Sequence, residues 1–380
     1  MKRRTLLLSS LALPAAATGL WQARSLLVSR PGELAYTPVC SAAYNGSDDC
    51  QFGAVRADRL AFSVSSRERG HDSCVHPLRR EALFFARRPG THIYVTDLHS
   101  GALKQTIQAE PGYHFYGHGC LDGDSRILYT TENHVAGGGQ GAIGCYDSRD
   151  GYRYLGHLDC GGIGPHELAL MPDGEHLVVA IGGLKTLPDS GRETLNPDSL
   201  APGLSYIHLA SGRLAEFVPS AHPQLSLRHL DVNAHGDVVV GAQFQGPRPS
   251  SWPLLYHHRR GQSLRALDQG RPLPMRHDYV ASVALDDDGN ALCSFPLDNR
   301  FALWSIAEQR LLQHWSLRDC AGAVYDARYQ QFLVSSSTGQ LMAVRPGEAQ
   351  PRQLAYLPQF HWDNHLSVID DKLAQPMSDS

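Results

Sequence analysis

The chain has no Cys-x-x-Cys pair, which removes a paired-thiolate zinc cluster and covalent c-type haem attachment from consideration. It has no Gly-x-Ser-x-Gly elbow and no His-Glu-x-x-His helix, so neither the serine nucleophile of an α/β-hydrolase nor the zinc site of a helical metalloprotease is written in it. Beyond the first twenty residues no stretch approaches eighteen apolar residues, and no membrane span is expected there. Basic residues are in the minority, with 34 Lys and Arg against 38 Asp and Glu. That balance argues against nucleic acid, whose recognition needs a basic face. Helical periodicity is scarce too.

What is present begins with an address. Lys2, Arg3 and Arg4 precede the apolar run Leu6 to Leu13, and Ala15, Ala16 and Ala17 supply small residues for cleavage. Residues 1–20 therefore read as a signal peptide, and the product is expected in the periplasm. The order Arg3-Arg4-Thr5-Leu6-Leu7 fits a twin-arginine signal, with the general secretory route as the alternative. Without those three cations the balance becomes 31 against 38. An oxidising compartment would allow the eight cysteines up to four disulfides, and Cys40 with Cys50, ten residues apart around a Gly/Ser/Asp-rich loop, is the favoured pair.

Short β-branched and aromatic runs bounded by Gly, Asp, Asn and Pro recur along the chain, and aligning them exposes a repeat. His166-Glu-Leu-Ala-Leu170 passes through Met-Pro-Asp-Gly-Glu into His-Leu-Val-Val-Ala; His229-Leu-Asp-Val-Asn233 passes through Ala-His-Gly-Asp into Val-Val-Val-Gly-Ala. The same strand, turn, strand order follows His118, Ser282 and Gly322, and a second hairpin comes later in each repeat, with tips near Gly101, Gly151, Gly212, Gly261 and Gly347. Adding His71 and His365 gives seven equivalent anchors spaced 40 to 63 residues apart. Four strands per repeat predict an all-β, seven-bladed β-propeller over residues 36–370, with 371–380 as a tail. Too little chain follows His365 for a whole blade, so Gln51 to Ser65 should complete the last one. The longest spacing contains Gly182 to Asn196, expected as a loop on one face.

The segments His114-Phe-Tyr-Gly-His-Gly119, Tyr129-Thr-Thr-Glu-Asn133, Gly162-Ile-Gly-Pro-His-Glu167, Leu225-Ser-Leu-Arg-His-Leu230 and Ala86-Arg-Arg-Pro-Gly90 resemble the bacterial DUF1513 family. The likeness is strong from about Arg69 to Tyr279 and weaker beyond. It implies an exported propeller and a role near transition-metal uptake, iron first, because such proteins are often encoded beside imelysin-type, iron-regulated periplasmic proteins. An imelysin-type protein is therefore an expected partner. Where the family carries Asn-Gly-Gly-Ile, this chain has Ile181-Gly-Gly-Leu184, so no role passes to that Asn.

The anchor opens the innermost strand of each blade, and five of the seven anchors are histidines: His71, His118, His166, His229 and His365. Imidazoles repeated around one axis converge, as neutral nitrogen donors do around iron, copper or zinc. The blander alternative has each histidine hydrogen-bonded within its own blade. His114, His361, Asp72, Glu132 and Glu167 are candidate extra ligands or acceptors that fix an imidazole tautomer. Strand alternation turns Glu167 away from the channel, favouring the acceptor role. Arg228 and Arg69 are candidates for holding a carboxylate or phosphate, with salt bridges as the alternative. His257-His258-Arg-Arg is expected at a solvated hairpin tip, Gly137 to Gly141 in a flexible turn, and Trp252, Trp304, Trp315 and Trp362 in blade cores.

Three functions compete on this reading. One is a periplasmic protein binding a transition-metal ion or its chelate at the channel mouth. Another is a metal-dependent propeller enzyme, lactonase-like or redox, which needs an open coordination position beside a free carboxylate base. The third is an interaction scaffold whose histidines are satisfied one by one.

Overall fold

Alternating apolar runs broken by tight turns can bury one face only by stacking sheet on sheet, and here they do so around a ring. The computed structural model describes residues 39–44, 50–56, 58–191, 193–247, 252–267, 273 and 276–370. Residues 1–20, expected as a signal peptide, and residues 371–380, expected as a tail, lie outside the described residues. The described chain forms seven four-stranded antiparallel sheets, the blades of the propeller expected from the repeat. Blade 1 runs over 70–108, blade 2 over 113–159, blade 3 over 165–219, blade 4 over 225–266, blade 5 over 282–316 and blade 6 over 320–356.

Blade 7 is shared between the two ends of the chain. Its innermost strand is Ser367–Val368, followed outward by Val39–Tyr44, Cys50–Arg56 and Arg59–Ser66, with Val39 opposite Val368 and Cys40 opposite Ser367. The backbone ladder between the first and last strands ties the ring shut and leaves no inner edge open. Neighbouring blades interlock through apolar faces. Val178, Leu204 and Tyr206 of blade 3 pack with Leu227, Val238 and Val240 of blade 4. Full burial of each such aliphatic side chain is worth about 1.5–3 kcal/mol. Polar ties cross the same seams, as where the Tyr152 hydroxyl of blade 2 donates to Glu81 of blade 1 at 2.7 Å.

Three expectations need correction here. Cys40 pairs in register with Ala54 and Cys50 with Tyr44, four positions apart along one ladder. That is about 13 Å of strand, beyond the reach of a disulfide. Cys120, Cys145, Cys160, Cys293 and Cys320 are free thiols. The His257-His258-Arg-Arg segment is not solvated throughout: His258 is fully buried, bonded to the Tyr206 hydroxyl at 2.6 Å, while His257 and Arg259 both engage Asp237. Trp304, Trp315 and Trp362 are core residues, but Trp252 is exposed.

The inner strands carry a local irregularity that matters for the site. In blades 1, 2, 3, 4 and 6 the ladder between inner strand and neighbour slips at the anchor: between Gly70 and Ser73, Phe115 and Gly119, Pro165 and Leu168, Leu227 and Leu230, and Cys320 and Ala323. A β-bulge bends its strand and re-aims the side chains within it. Four of the ring histidines lie inside these slips.

Candidate metal centre

The five anchor histidines meet at the propeller axis. Their ring centroids lie 4.7 Å apart for His71 and His118, 4.6 Å for His166 and His229, 4.8 Å for His229 and His365, and 4.9 Å for His71 and His365. One donor atom each from His71, His118 and His166 falls within 4.8 Å of the others, and so does the set His118, His229 and His365. Three donors around one ion with bonds near 2.1 Å sit about 3.4–3.6 Å apart, so the rings draw in by at most roughly 0.7 Å each to close a set.

Each imidazole presents one ring nitrogen that is buried and lacks a hydrogen-bond partner: Nδ1 of His71 and His166, and Nε2 of His118, His229 and His365. For His71 the nearest acceptor, Oδ1 of Asp363, is 3.5 Å away, too far for a good bond. Leaving a buried polar atom unsatisfied costs about 1–3 kcal/mol. Five together would cost about as much as a whole domain's net stability. Hydrogen bonds within separate blades, the blander alternative, are not what these nitrogens make.

The other side of the rings is held by carboxylates. Nδ1 of His118 faces Oδ2 of Asp72 at 3.2 Å and Oε1 of Glu167 at 3.8 Å; Nδ1 of His229 faces Oε2 of Glu167 at 3.3 Å. A carboxylate on one ring nitrogen fixes the tautomer and leaves the other as a donor pair. Glu167 thus serves the two neighbouring blades rather than its own. Strict alternation would have turned it away from the channel, but the slip between Pro165 and Leu168 cancels that alternation.

Burial sets the protonation state. It holds His71, His166 and His229 well below the usual imidazole value, assisted by the neighbouring rings and by Arg87 or Arg228, and holds His365 at about 3. Burial and the nearby Asp72 carboxylate push Glu167 well above the usual glutamate value. His71, His166, His229 and His365 are therefore neutral nitrogen donors.

The remaining candidates separate. Glu132 is fully buried but belongs to a network in blade 2, taking hydrogen bonds from Thr130, Tyr146 and His157. His361 is exposed and His114 lines a cavity instead of joining the ring. Arg69 donates from Nε to Oδ2 of Asp363 at 2.6 Å, the salt-bridge alternative. Arg228, next to His229, has a buried Nε without a partner, and burial together with Arg88 lowers its pKa to about 10.

Beside the ring a cavity of about 520 Å³ is lined by Arg69, Arg87, Arg88, His114, Tyr116 and Thr186, among others. Thr186 comes from the long loop expected between Gly182 and Asn196, and its hydroxyl accepts from Nη1 of Arg88 at 2.6 Å. Arg87, Arg88, Tyr116, Tyr279 and Asp363 were not singled out in the sequence as site residues. Arg87 and Arg88 lie in a segment that stands out only as a family motif, whereas Tyr116 and Asp363 each stand two residues before an anchor histidine, a position from which the sequence could have found them.

Residues 64–369 match a family described as a protein of unknown function, DUF1513. The chain belongs to the DUF1513 family. The match extends past the Arg69 to Tyr279 stretch to the final blade. Among solved structures, this DUF1513 protein is similar to a chain of hydrazine synthase from Kuenenia stuttgartiensis, with a TM-score of 0.61 and 15% identity over 78% of this chain and 89% of that one. It is similar also to the periplasmic gluconolactonase PpgL of Pseudomonas aeruginosa, with a TM-score of 0.61 and 16% identity over 88% and 99%. At such identity the likeness shows the fold alone. A 96-residue stretch is 35% identical to the tyrosine-protein kinase PtkA of Mycobacterium tuberculosis and of Mycobacterium bovis. This chain spans 30% of the length of that kinase, and the match covers 25% of this chain. Among the described residues no helix is long and apolar enough to cross a membrane.

Proposed function

We propose that this DUF1513 propeller is an exported, periplasmic metal-binding protein whose five-histidine ring takes a transition-metal ion. The observation that carries the reading is the set of five convergent, buried ring nitrogens without partners. An ion held by His71, His118 and His166, or by His118, His229 and His365, satisfies ring nitrogens that hydrogen bonds within blades do not. An all-imidazole donor set suits iron, copper, zinc or nickel better than calcium or magnesium. The family resemblance adds the link to iron acquisition and to an imelysin-type partner.

Binding is favoured over catalysis by the state of the carboxylates. A hydrolytic propeller needs a free base near its metal, and the gluconolactonase likeness makes that the reading to test. Here Asp72 accepts from the Ser73 amide at 2.7 Å and faces His118; Glu167 accepts from the Leu230 amide at 3.0 Å and faces His229. Asp363 is taken by Arg69 and by the Asn364 amide, and Asp231 by the amides of Val232 and Leu285. Each carboxylate named here is committed. A scaffold with individually satisfied histidines fits the unpartnered nitrogens poorly.

Elemental analysis of protein purified from the periplasm tests the reading, set beside His118→Ala and His229→Ala. About one transition-metal ion per chain in the native protein, lost in either variant, is the expected result. Full-length protein without metal that also takes up none from added iron, copper or zinc would overturn it.

A further inference from the structure

Among the described residues, His118 belongs to every donor set of the centre. The two nitrogen sets share it, and so does a third set, Asp72, His118 and Glu167, whose donor atoms lie within 4.8 Å of one another. The third set stands on the Nδ1 side of the imidazole: Oδ2 of Asp72 is 3.2 Å from that nitrogen and Oε1 of Glu167 is 3.8 Å from it. Those two edges bracket the spacing of about 3.4–3.6 Å that three donors take around one ion with bonds near 2.1 Å. The opposite nitrogen of the same ring, Nε2, is buried without a hydrogen-bond partner, in a residue only 1% exposed. One imidazole thus offers a nitrogen to an ion on either side.

Each carboxylate keeps an oxygen for this position. Oδ1 of Asp72 accepts from the Ser73 amide at 2.7 Å, and Oε2 of Glu167 accepts from the Leu230 amide at 3.0 Å and faces His229 at 3.3 Å. Oε1 of Glu167, at 3.8 Å, is beyond hydrogen-bond reach of His118. Solvent reaches the centre on this side. The side chains of Asp72 and Glu167 are 14% and 17% exposed, against 0% for His118 and 1% for His229. His166, one residue before Glu167, is the partly exposed member of the nitrogen sets, and the set of His118, His229 and His365 is buried throughout.

We propose that Asp72, Glu167 and Nδ1 of His118 form a receiving site through which the transition-metal ion enters, and that His118 passes the ion to the nitrogen sets on its other side. This rests on the ring reading above and adds the route to it. An ion on Nδ1 leaves the proton of the neutral imidazole on Nε2; an ion on Nε2 leaves that proton on Nδ1, against Asp72. In the transfer one proton leaves Nε2 and one returns to Nδ1, so the imidazole stays neutral. Glu167, whose carboxyl is made harder to ionise by burial and by Asp72, releases its proton to solvent when the cation arrives.

The test is stopped-flow mixing of full-length, metal-stripped protein with Co2+, followed by the visible absorption of the bound ion, with release measured separately into excess chelator. Asp72→Asn should slow loading about tenfold, because a charge at the mouth of a narrow site raises the on-rate, and should flatten the fall of that rate with ionic strength. Glu167→Gln replaces a ligating carboxylate by an amide and should slow loading severalfold; it carries the test if Asp72→Asn fails to fold. A residue that only positions His118 behaves differently. Its loss weakens the bound state, so release quickens while loading keeps the wild-type rate. Direct entry past His166 also predicts unchanged loading. Wild-type loading rates in every variant that folds therefore overturn the proposal and leave the ring reading intact. A wild-type chain that takes up no Co2+ overturns the proposal too, and elemental analysis of the periplasmic protein then decides whether the ring reading falls with it.

Discussion

The rings of His71 and His365 meet edge to face at 89°, with centroids 4.9 Å apart, although 294 residues of chain separate them. His365 leads into the C-terminal strand that closes blade 7, and His71 stands in the first blade. An ion held by His118, His229 and His365 would tie the segment that leads into the closing strand to blades 2 and 4. A ligand that binds only the native state raises stability by RT ln(1 + [L]/Kd), about 2.7 kcal/mol at a free concentration one hundred times Kd. Metal should therefore raise the melting temperature by several degrees, and His365→Ala should lose most of that rise. Thermal melts with and without zinc, iron or copper read it directly. An equal metal-induced rise in His365→Ala would exclude the closing strand from the site.

Glu167 spans two blades, and its removal separates positioning from ligation. With Glu167→Gln the ring of His229 loses the carboxylate behind it and that of His118 keeps only Asp72, while all five imidazoles stay. The expected result is metal affinity lower by about 10–100-fold, with unchanged stoichiometry at saturation. Competition against a chelator of known affinity measures this. Unaltered affinity would make Glu167 a structural residue only.

The blades were legible in the sequence because each repeat reuses one turn chemistry, and the histidines were legible because they recur at one position of it. Two kinds of feature were not. The slips at the anchors depend on how a strand pairs with its neighbour, so alternation along a single strand misdirected Glu167. Contacts between neighbouring blades, such as Arg69 with Asp363, join residues far apart in the chain, and no spacing along it announces them. Cys40 and Cys50 failed for a related reason. Nearness in sequence suggested a loop closure, but both residues lie in strands whose register holds them apart. His258 looked like a solvated tip because it adjoins two arginines, yet it turns inward to Tyr206.

Acid should weaken the seam between blades 1 and 2. Glu81 is buried and takes hydrogen bonds from Arg79 at 2.9 Å, Lys104 at 2.6 Å and Tyr152 at 2.7 Å. Burial by itself raises its pKa, but the three donors outweigh that and hold it below the usual glutamate value. A carboxylate depressed in the folded state contributes stability that is present above the unfolded value, about 4.3, and lost as pH falls through the folded value. Stability should fall below about pH 4.3, and Glu81→Gln should remove Glu81's share of that fall. At neutral pH the substitution should cost about 1–3 kcal/mol, toward the lower end because Arg79 and Lys104 reach solvent. Denaturant unfolding at pH 7 and pH 3.5 checks both parts. A difference between wild type and Glu81→Gln that is the same at both values would contradict the argument.

A single methyl group tests whether the position of His71 matters without removing any donor. Gly117 immediately precedes His118 and adopts φ +106°, and a Cβ at that position would come within 2.9 Å of Cδ2 of His71. Gly117→Ala must therefore displace the His71 ring as well as strain its own backbone, a strain worth about 1–3 kcal/mol. Strain by itself is no test of the site, so a control is needed. Gly156, in the outermost strand of blade 2, adopts φ +144°, and a Cβ there would meet nothing within 4 Å, so Gly156→Ala imposes backbone strain with no ring to push. Both variants should melt at lower temperature than wild type. Only Gly117→Ala should also bind metal more weakly, by about tenfold or more, because a donor displaced by even 1 Å no longer fits bonds of about 2.1 Å. If the two variants lose stability alike and keep wild-type metal affinity alike, His71 is not a ligand, and the ion is held by the set formed from His118, His229 and His365.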